Sequence, residues 1–247
     1  MRSFQVGRIF GFPIKVNLSF LILLGAVWLW FGGLPGVALM AVAFTSVVAH
    51  ELGHALVARQ LGVRTKEIEL GFLGGAAKIL DLPRRPGDEI AIAAAGPAVS
   101  FALAGLSYAV ASLIDSSALA WVAIINLGIA LFNLVPALPM DGGRILRALL
   151  SMRMGYGSAT RVAVKVARGL ALVLGGVGLV TLHLQLVAVA FFVWLASGAE
   201  LRAARFVNPY ADHETPVAVE YIPPQAWPPK PQPPFARGPV RVVVFRT

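Results

Sequence analysis

The chain has 247 residues, 57% of them hydrophobic and 13% charged, with a mean hydropathy of +0.76; so few polar side chains cannot cover the core of a soluble fold, and the bilayer is the expected solvent. Cysteine is absent, which excludes disulfides and thiolate metal sites and leaves His and carboxylates to hold any zinc. The net charge of +9 would suit nucleic acid in a soluble protein, but the basic residues sort by membrane side, so no nucleic-acid partner is expected.

In chain order, the opening segment MRSFQVGRIFGFPIKV has neither an apolar core nor a small-residue cleavage site, so the first span is expected to stay in the mature protein. Runs apolar enough to cross about 30 Å of hydrocarbon follow. They lie near residues 17–34, 36–60, 89–114, 118–139, 158–182 and 184–201. Between the second and third, VRTKEIELGFLGGAAKILDL alternates polar and apolar residues around Gly74-Gly75 and reads as short strands, as does FQVGRIFGFPIKV at the start. The two segments could pair with each other, offer an open edge to an extended peptide, or form a hairpin packed on the bundle.

The expected fold is therefore a polytopic α-helical membrane protein with about six transmembrane helices and short β-strands at the cytoplasmic face. With the N-terminus inside, the outer turns near 32–37, 115–118 and 181–185 contain no Lys or Arg. The positive-inside rule then places both termini on the cytoplasmic side of the cell (inner) membrane. Residues 1–206 form the membrane domain. Ten of the 17 prolines fall in the last 41 residues, which make 207–247 a Pro-rich cytoplasmic tail. Its closing VRVVVFRT reads as a strand, so the tail either folds back or serves as a linker.

The chemistry gathers in the second run. In His50-Glu51-Leu52-Gly53-His54 the histidines, four apart, project from one face of a helix and can grip one metal, with Glu51 beside them as the candidate base. Zinc in a hydrolase takes three protein ligands and leaves a position for water. Ionisable groups within an apolar span are costly, so this cluster is read as functional. Asp141 is the candidate third ligand. It follows a stretch with Pro136 and Pro139 and precedes Gly142-Gly143, irregular backbone that is tolerated at membrane depth where it lines a cavity or is buried in protein. Asp81, Asp88, Glu89, Asp115 and Glu200 are weaker candidates, flanking loops or span ends. Residue 50 lies roughly 21 Å along its helix, which puts it in the cytoplasmic half, as is Asp141. Asn133 could donate to a developing oxyanion or hold substrate backbone, or could merely bond a neighbouring helix. His183 and His213 read as surface residues, and Gly96-Pro97 could simply kink its span.

Together these residues resemble the site-2 protease family of intramembrane zinc metalloproteases. His50, Glu51 and His54 fit its helix motif, Asp141-Gly142 its second motif, Ala95-Gly96-Pro97 a further signature, and Asn133 the Asn eight residues before the ligand Asp. The resemblance implies one zinc per chain held by His50, His54 and Asp141, and a zinc-bound water activated by Glu51 that attacks a locally unwound substrate helix of another membrane protein. Ser100 stands where many members carry Asn, and Asn17 where many carry His; neither is expected to touch the ligand set. No PDZ-like insertion or nucleotide-sensing domain is evident. The rival readings are an inactive scaffold, which would have little reason to keep the four site residues, and a metal transporter, which would need polar residues right across the membrane. The oligomeric state and the substrate's identity are not legible.

Overall fold

The computed structural model describes residues 3–17, 33–63, 65–71, 74–79, 83 and 85–204. Most of the expected first span, Asp81, and the Pro-rich tail with His213 and its closing strand lie outside the described residues.

The opening segment forms a hairpin of β1 (Ser3–Ile9) and β2 (Phe12–Asn17). Its two turn residues, Phe10 and Gly11, both have positive φ, 50° and 88°, the conformation whose twist suits a two-residue hairpin. Alternation then separates the faces of β2: Phe12, Ile14 and Val16 are buried and the residues between them only partly so. The buried set packs on Phe44, Val47, Val48, Leu52, Ala55 and Leu56 of the first described helix, α1 (Gly33–Gln60). Arg59, near the end of α1, secures the hairpin by donating to the Phe10 carbonyl at 3.0 Å and lying over the Phe12 ring. Gly62, at φ 73°, ends the helix; beyond it the Val63 N–H bonds the Ala58 carbonyl at 2.9 Å.

The second strand-like segment gives β3 (Thr65–Gly71) and β4 (Gly74–Ile79). The two segments do pair with each other: β2 runs parallel to β3, with Ile14 opposite Ile68, in one four-stranded sheet of order β1-β2-β3-β4.

Five more helices follow: α2 (Pro86–Ile114), α3 (Ser117–Asn133), α4 (Asp141–Ser151), α5 (Tyr156–Val180) and α6 (Leu184–Ala203). Local signals mark their ends. Pro86 opens α2 with Asp88 and Glu89 in its first turn, and the Ser116 side chain caps α3 by accepting from Leu119 N–H. Four of the six described helices, α1, α2, α5 and α6, are long and apolar enough to cross a membrane; α3 is apolar but has 17 residues.

The packing is that of a polytopic membrane protein. Small residues fill the helix contacts, with Ala58, Ala93, Ala130, Ala148, Ala159, Ala163 and Ala167 at 0% exposure, while Leu113, Val180 and Leu182 are more than four-fifths exposed. Lipid tails accept such large apolar side chains, and close approach between helices requires the small ones.

The expected fourth span, 118–139, is corrected. Its helix stops at Asn133, residues 134–140 are irregular, and a separate short helix, α4, begins at Asp141. Pro136 and Pro139 cannot donate to a continuing helix. The irregular stretch is held instead by its apolar side chains: Ala137 and Met140 pack with Ala167, Ala171, Ala190 and Val193, and Leu138 with Ala163 and Val164, all on α5 and α6. Gly142 and Gly143 accordingly belong to the first turn of α4 rather than ending a span.

Candidate metal centre

His50 and His54 lie one helical turn apart on α1, at 3% exposure each, with their rings edge to face at 4.8 Å between centroids. Asp141, the first residue of α4 and 6% exposed, reaches them from the other side. Its Oδ2 is 3.1 Å from Nε2 of His50 and 3.1 Å from Nε2 of His54, and the two Nε2 atoms are 3.2 Å apart. Among the described residues, this is the one group of three such side chains able to hold a metal ion.

Neighbouring groups fix both imidazoles. Nδ1 of His54 lies 2.6 Å from the Ile92 carbonyl, and Nδ1 of His50 lies 2.9 Å from Oγ of Ser100, both on α2. A carbonyl can only accept, so His54 carries its proton on Nδ1, and in the neutral ring the Nε2 lone pair faces the carboxylate. A cation placed among two imidazole nitrogens and a carboxylate oxygen that converge in a dry interior satisfies all three at once. Zinc bonds of about 2.0–2.2 Å at tetrahedral angles set ligand atoms about 3.3–3.6 Å apart, close to the separations observed. The residues present therefore fit zinc.

The expectation that Ser100 stands apart from the ligand set is corrected: its hydroxyl touches His50 directly. Gly96 also has a role at the site beyond a kink. A Cβ there would collide with both imidazoles, so glycine is what allows α2 to lie against the histidines. One turn away, a Cβ on Gly53 would sit 2.8 Å from the Ala95 carbonyl oxygen, so the two helices meet backbone to backbone.

The approach of Asp141 depends on the glycines after it. A Cβ on Gly142 would strike the Leu134 carbonyl, and one on Gly143 would strike the backbone of Ala137 and Leu138. The first turn of α4 thus rests on the irregular stretch before it. Asp141 gains from the helix N-terminus, and its second oxygen, Oδ1, faces Arg144 at 3.8 Å.

The other site residues are placed as follows. Glu51 is buried beside His50 at 9% exposure. Asn133, half-buried at the end of α3, donates to the Ile129 carbonyl of its own helix at 2.9 Å. Glu89 and Glu200 bind Arg147 and belong to a different cluster. His183 is exposed, as expected. Sequence reasoning passed over Asn126, which is 1% exposed and donates to Oγ of Ser46, one turn from His50 on α1, while its own Oδ1 has no partner among the described residues. Its signal was a lone amide within an apolar run.

Comparison with known proteins places this geometry in a family. The family model described as peptidase family M50 matches residues 38–117 and 115–175. Zinc metalloprotease MJ0392 of Methanocaldococcus jannaschii is 35% identical over 208 residues, covering 81% of this chain and 61% of the relative. Stage IV sporulation protein FB of Bacillus subtilis is 33% identical over 153 residues, covering 61% of this chain and 53% of the relative. The solved structure of a site-2 protease from Methanocaldococcus jannaschii superposes with a TM-score of 0.67 at 34% identity, covering 81% of this chain and 96% of that one. The chain spans about three fifths of the length of the first curated relative it matches.

Proposed function

The chain belongs to peptidase family M50, and on that basis we propose that it is a zinc metalloendopeptidase of the site-2 protease type, cleaving peptide bonds within or beside transmembrane segments of other membrane proteins. The observation that carries this reading is the convergence of His50, His54 and Asp141 on one point, buried among helices able to cross a membrane.

His50, His54 and Asp141 hold the ion. When bound, zinc polarises the scissile carbonyl and lowers the pKa of a water toward about 7. Glu51, displaced from His50 by one helical position, takes the proton of the attacking water as the C–O bond forms, then gives a proton to the departing amine as the C–N bond breaks. Asn133, at the end of α3 and eight residues before Asp141, retains amide capacity for the substrate backbone or the developing oxyanion. The surrounding apolar helices limit water, which strengthens each of these electrostatic contacts. A substrate helix must unwind locally to expose its carbonyl to the site.

The described turns at 115–116 and 181–183 contain no Lys or Arg, whereas Arg59, Arg85, Arg144, Arg147, Arg153 and Arg202 lie at the opposite ends of the helices. Positive charge stays inside, so that end, with the sheet and the Pro-rich tail 207–247, is cytoplasmic, and both termini with it.

Zinc content of the detergent-purified chain tests the ligand set. About one zinc per chain is expected in the wild type and in Glu51→Gln, with loss in Asp141→Ala; Glu51→Gln should also abolish cleavage of a membrane-helix substrate. A wild-type chain that cannot hold zinc when resupplied would overturn the proposal.

A further inference from the structure

A second buried charge cluster, outside the metal centre, joins the helices that build it. Arg147 in α4, 6% exposed, donates from Nε to Oε1 of Glu89 at 3.0 Å, and its Nη2 donates to the same oxygen. Glu89, 2% exposed, lies in the first turn of α2. Nη1 of Arg147 donates to Oε2 of Glu200 near the end of α6 at 2.9 Å, and the guanidinium lies over the ring of Tyr156, the first residue of α5, 5.1 Å from its centroid. Four helices meet at one side chain. Burial works against its charge, but the neighbouring acids, Glu89 foremost, outweigh that, and the guanidinium pKa lies above its ordinary value.

The cluster's place in the chain gives it a role. On α2, Glu89 lies one turn before Ile92, whose carbonyl holds His54, and Gly96 and Ser100 continue the same buried face toward His50. On α4, Arg147 lies less than two turns beyond Asp141. Each of these helices thus carries one half of the ion pair and one part of the metal centre. The irregular stretch 134–140 gives α4 no helical continuity with α3, so α4 must find its register against α2 through side chains, and the two-pronged bond to Glu89 is directional where alanine contacts are not.

We infer that the Arg147–Glu89 pair is a positioning device for the metal centre, fixing α4 against α2 so that Asp141 meets the two imidazoles already held by α2. This rests on His50, His54 and Asp141 binding zinc. Arg147 is a positioning residue, and Glu200, whose side chain is 39% exposed, is its lesser anchor.

The test separates positioning from stability. Replacing a buried ion pair by apolar residues of similar volume is often neutral for stability, whereas removing one partner strands a charge. Zinc affinity by chelator competition and thermal unfolding are measured on the purified chain for the wild type, Arg147→Met, the double variant Glu89→Met with Arg147→Met, Arg147→Lys and Glu200→Gln. Arg147→Met is expected to lose both stability and zinc. The double variant should unfold near the wild-type temperature yet bind zinc about tenfold or more weakly, the size of effect typical of groups that orient metal ligands. Arg147→Lys, which keeps the charge without the fork, should fall between, and Glu200→Gln should stay within about threefold of wild type. Wild-type zinc affinity in the folded fraction of the double variant or of Arg147→Lys would overturn the inference while leaving the proposed function intact. A wild-type chain without zinc would overturn both.

Discussion

Ser100 shows how one hydroxyl can matter to a centre it does not join. It holds Nδ1 of His50 at 2.9 Å and is itself fully buried, so removing it leaves a ring nitrogen without its partner in a dry interior. Ser100→Ala is expected to weaken zinc binding by about tenfold, through loss of ring orientation, and to lower the unfolding temperature modestly; competition with a chelator measures the first. The converging trio itself was legible as a candidate metal site, because two histidines four apart inside an apolar run have a local signature and Asp141 stands beside glycines and prolines. Their supports were not. Nothing near Ser100 or Ile92 in the sequence points to partners on α1, because those contacts form only once Gly96 lets the two helices close to backbone distance.

Among the elements, α4 was the least visible. Its residues 141–151 are too polar to register as a span and too short to stand out as a helix, and the prolines before it read as the tail of the preceding run. Only packing reveals it: Leu138 and Met140 bind the irregular stretch to α5 and α6, and the first turn of α4 rests on that stretch. Gly143→Ala places a methyl against the backbone of Ala137 and Leu138, which cannot step aside as a flexible side chain would. A loss of about 1–3 kcal/mol is expected from such overpacking, seen as a lower unfolding temperature, and zinc occupancy should fall with it because Asp141 rides on the same turn. By contrast, α1, α2, α5 and α6 were readable almost end to end, since long apolar runs bounded by charge have few other solutions. The Arg147 cluster escaped notice for the opposite reason: its acids lie 58 and 53 residues away in sequence, so no local pattern encodes the pairing.

For the whole molecule, a chain without cysteine permits a direct test of orientation. A cysteine replacing exposed Ser117, after the turn joining α2 and α3, should react with a membrane-impermeant thiol reagent from outside intact cells. One replacing exposed Met152, beyond α4, should react only after the membrane is opened. Reversed labelling would invert the proposed topology. Of the three arrangements open to the sequence, the structure shows two together: the segments pair, with Ile14 beside Ile68, and the N-terminal hairpin packs on α1. The 17 residues of α3 have a further consequence. At 1.5 Å per residue that helix covers about 25 Å, less than the about 30 Å thickness of a typical hydrocarbon core. A span that short favours a thinned bilayer beside it, at the helix whose end carries Asn133. Cleavage by the proposed protease in reconstituted vesicles is expected to rise as the acyl chains are shortened and to fall as they are lengthened, which would make membrane thickness a setting of its activity.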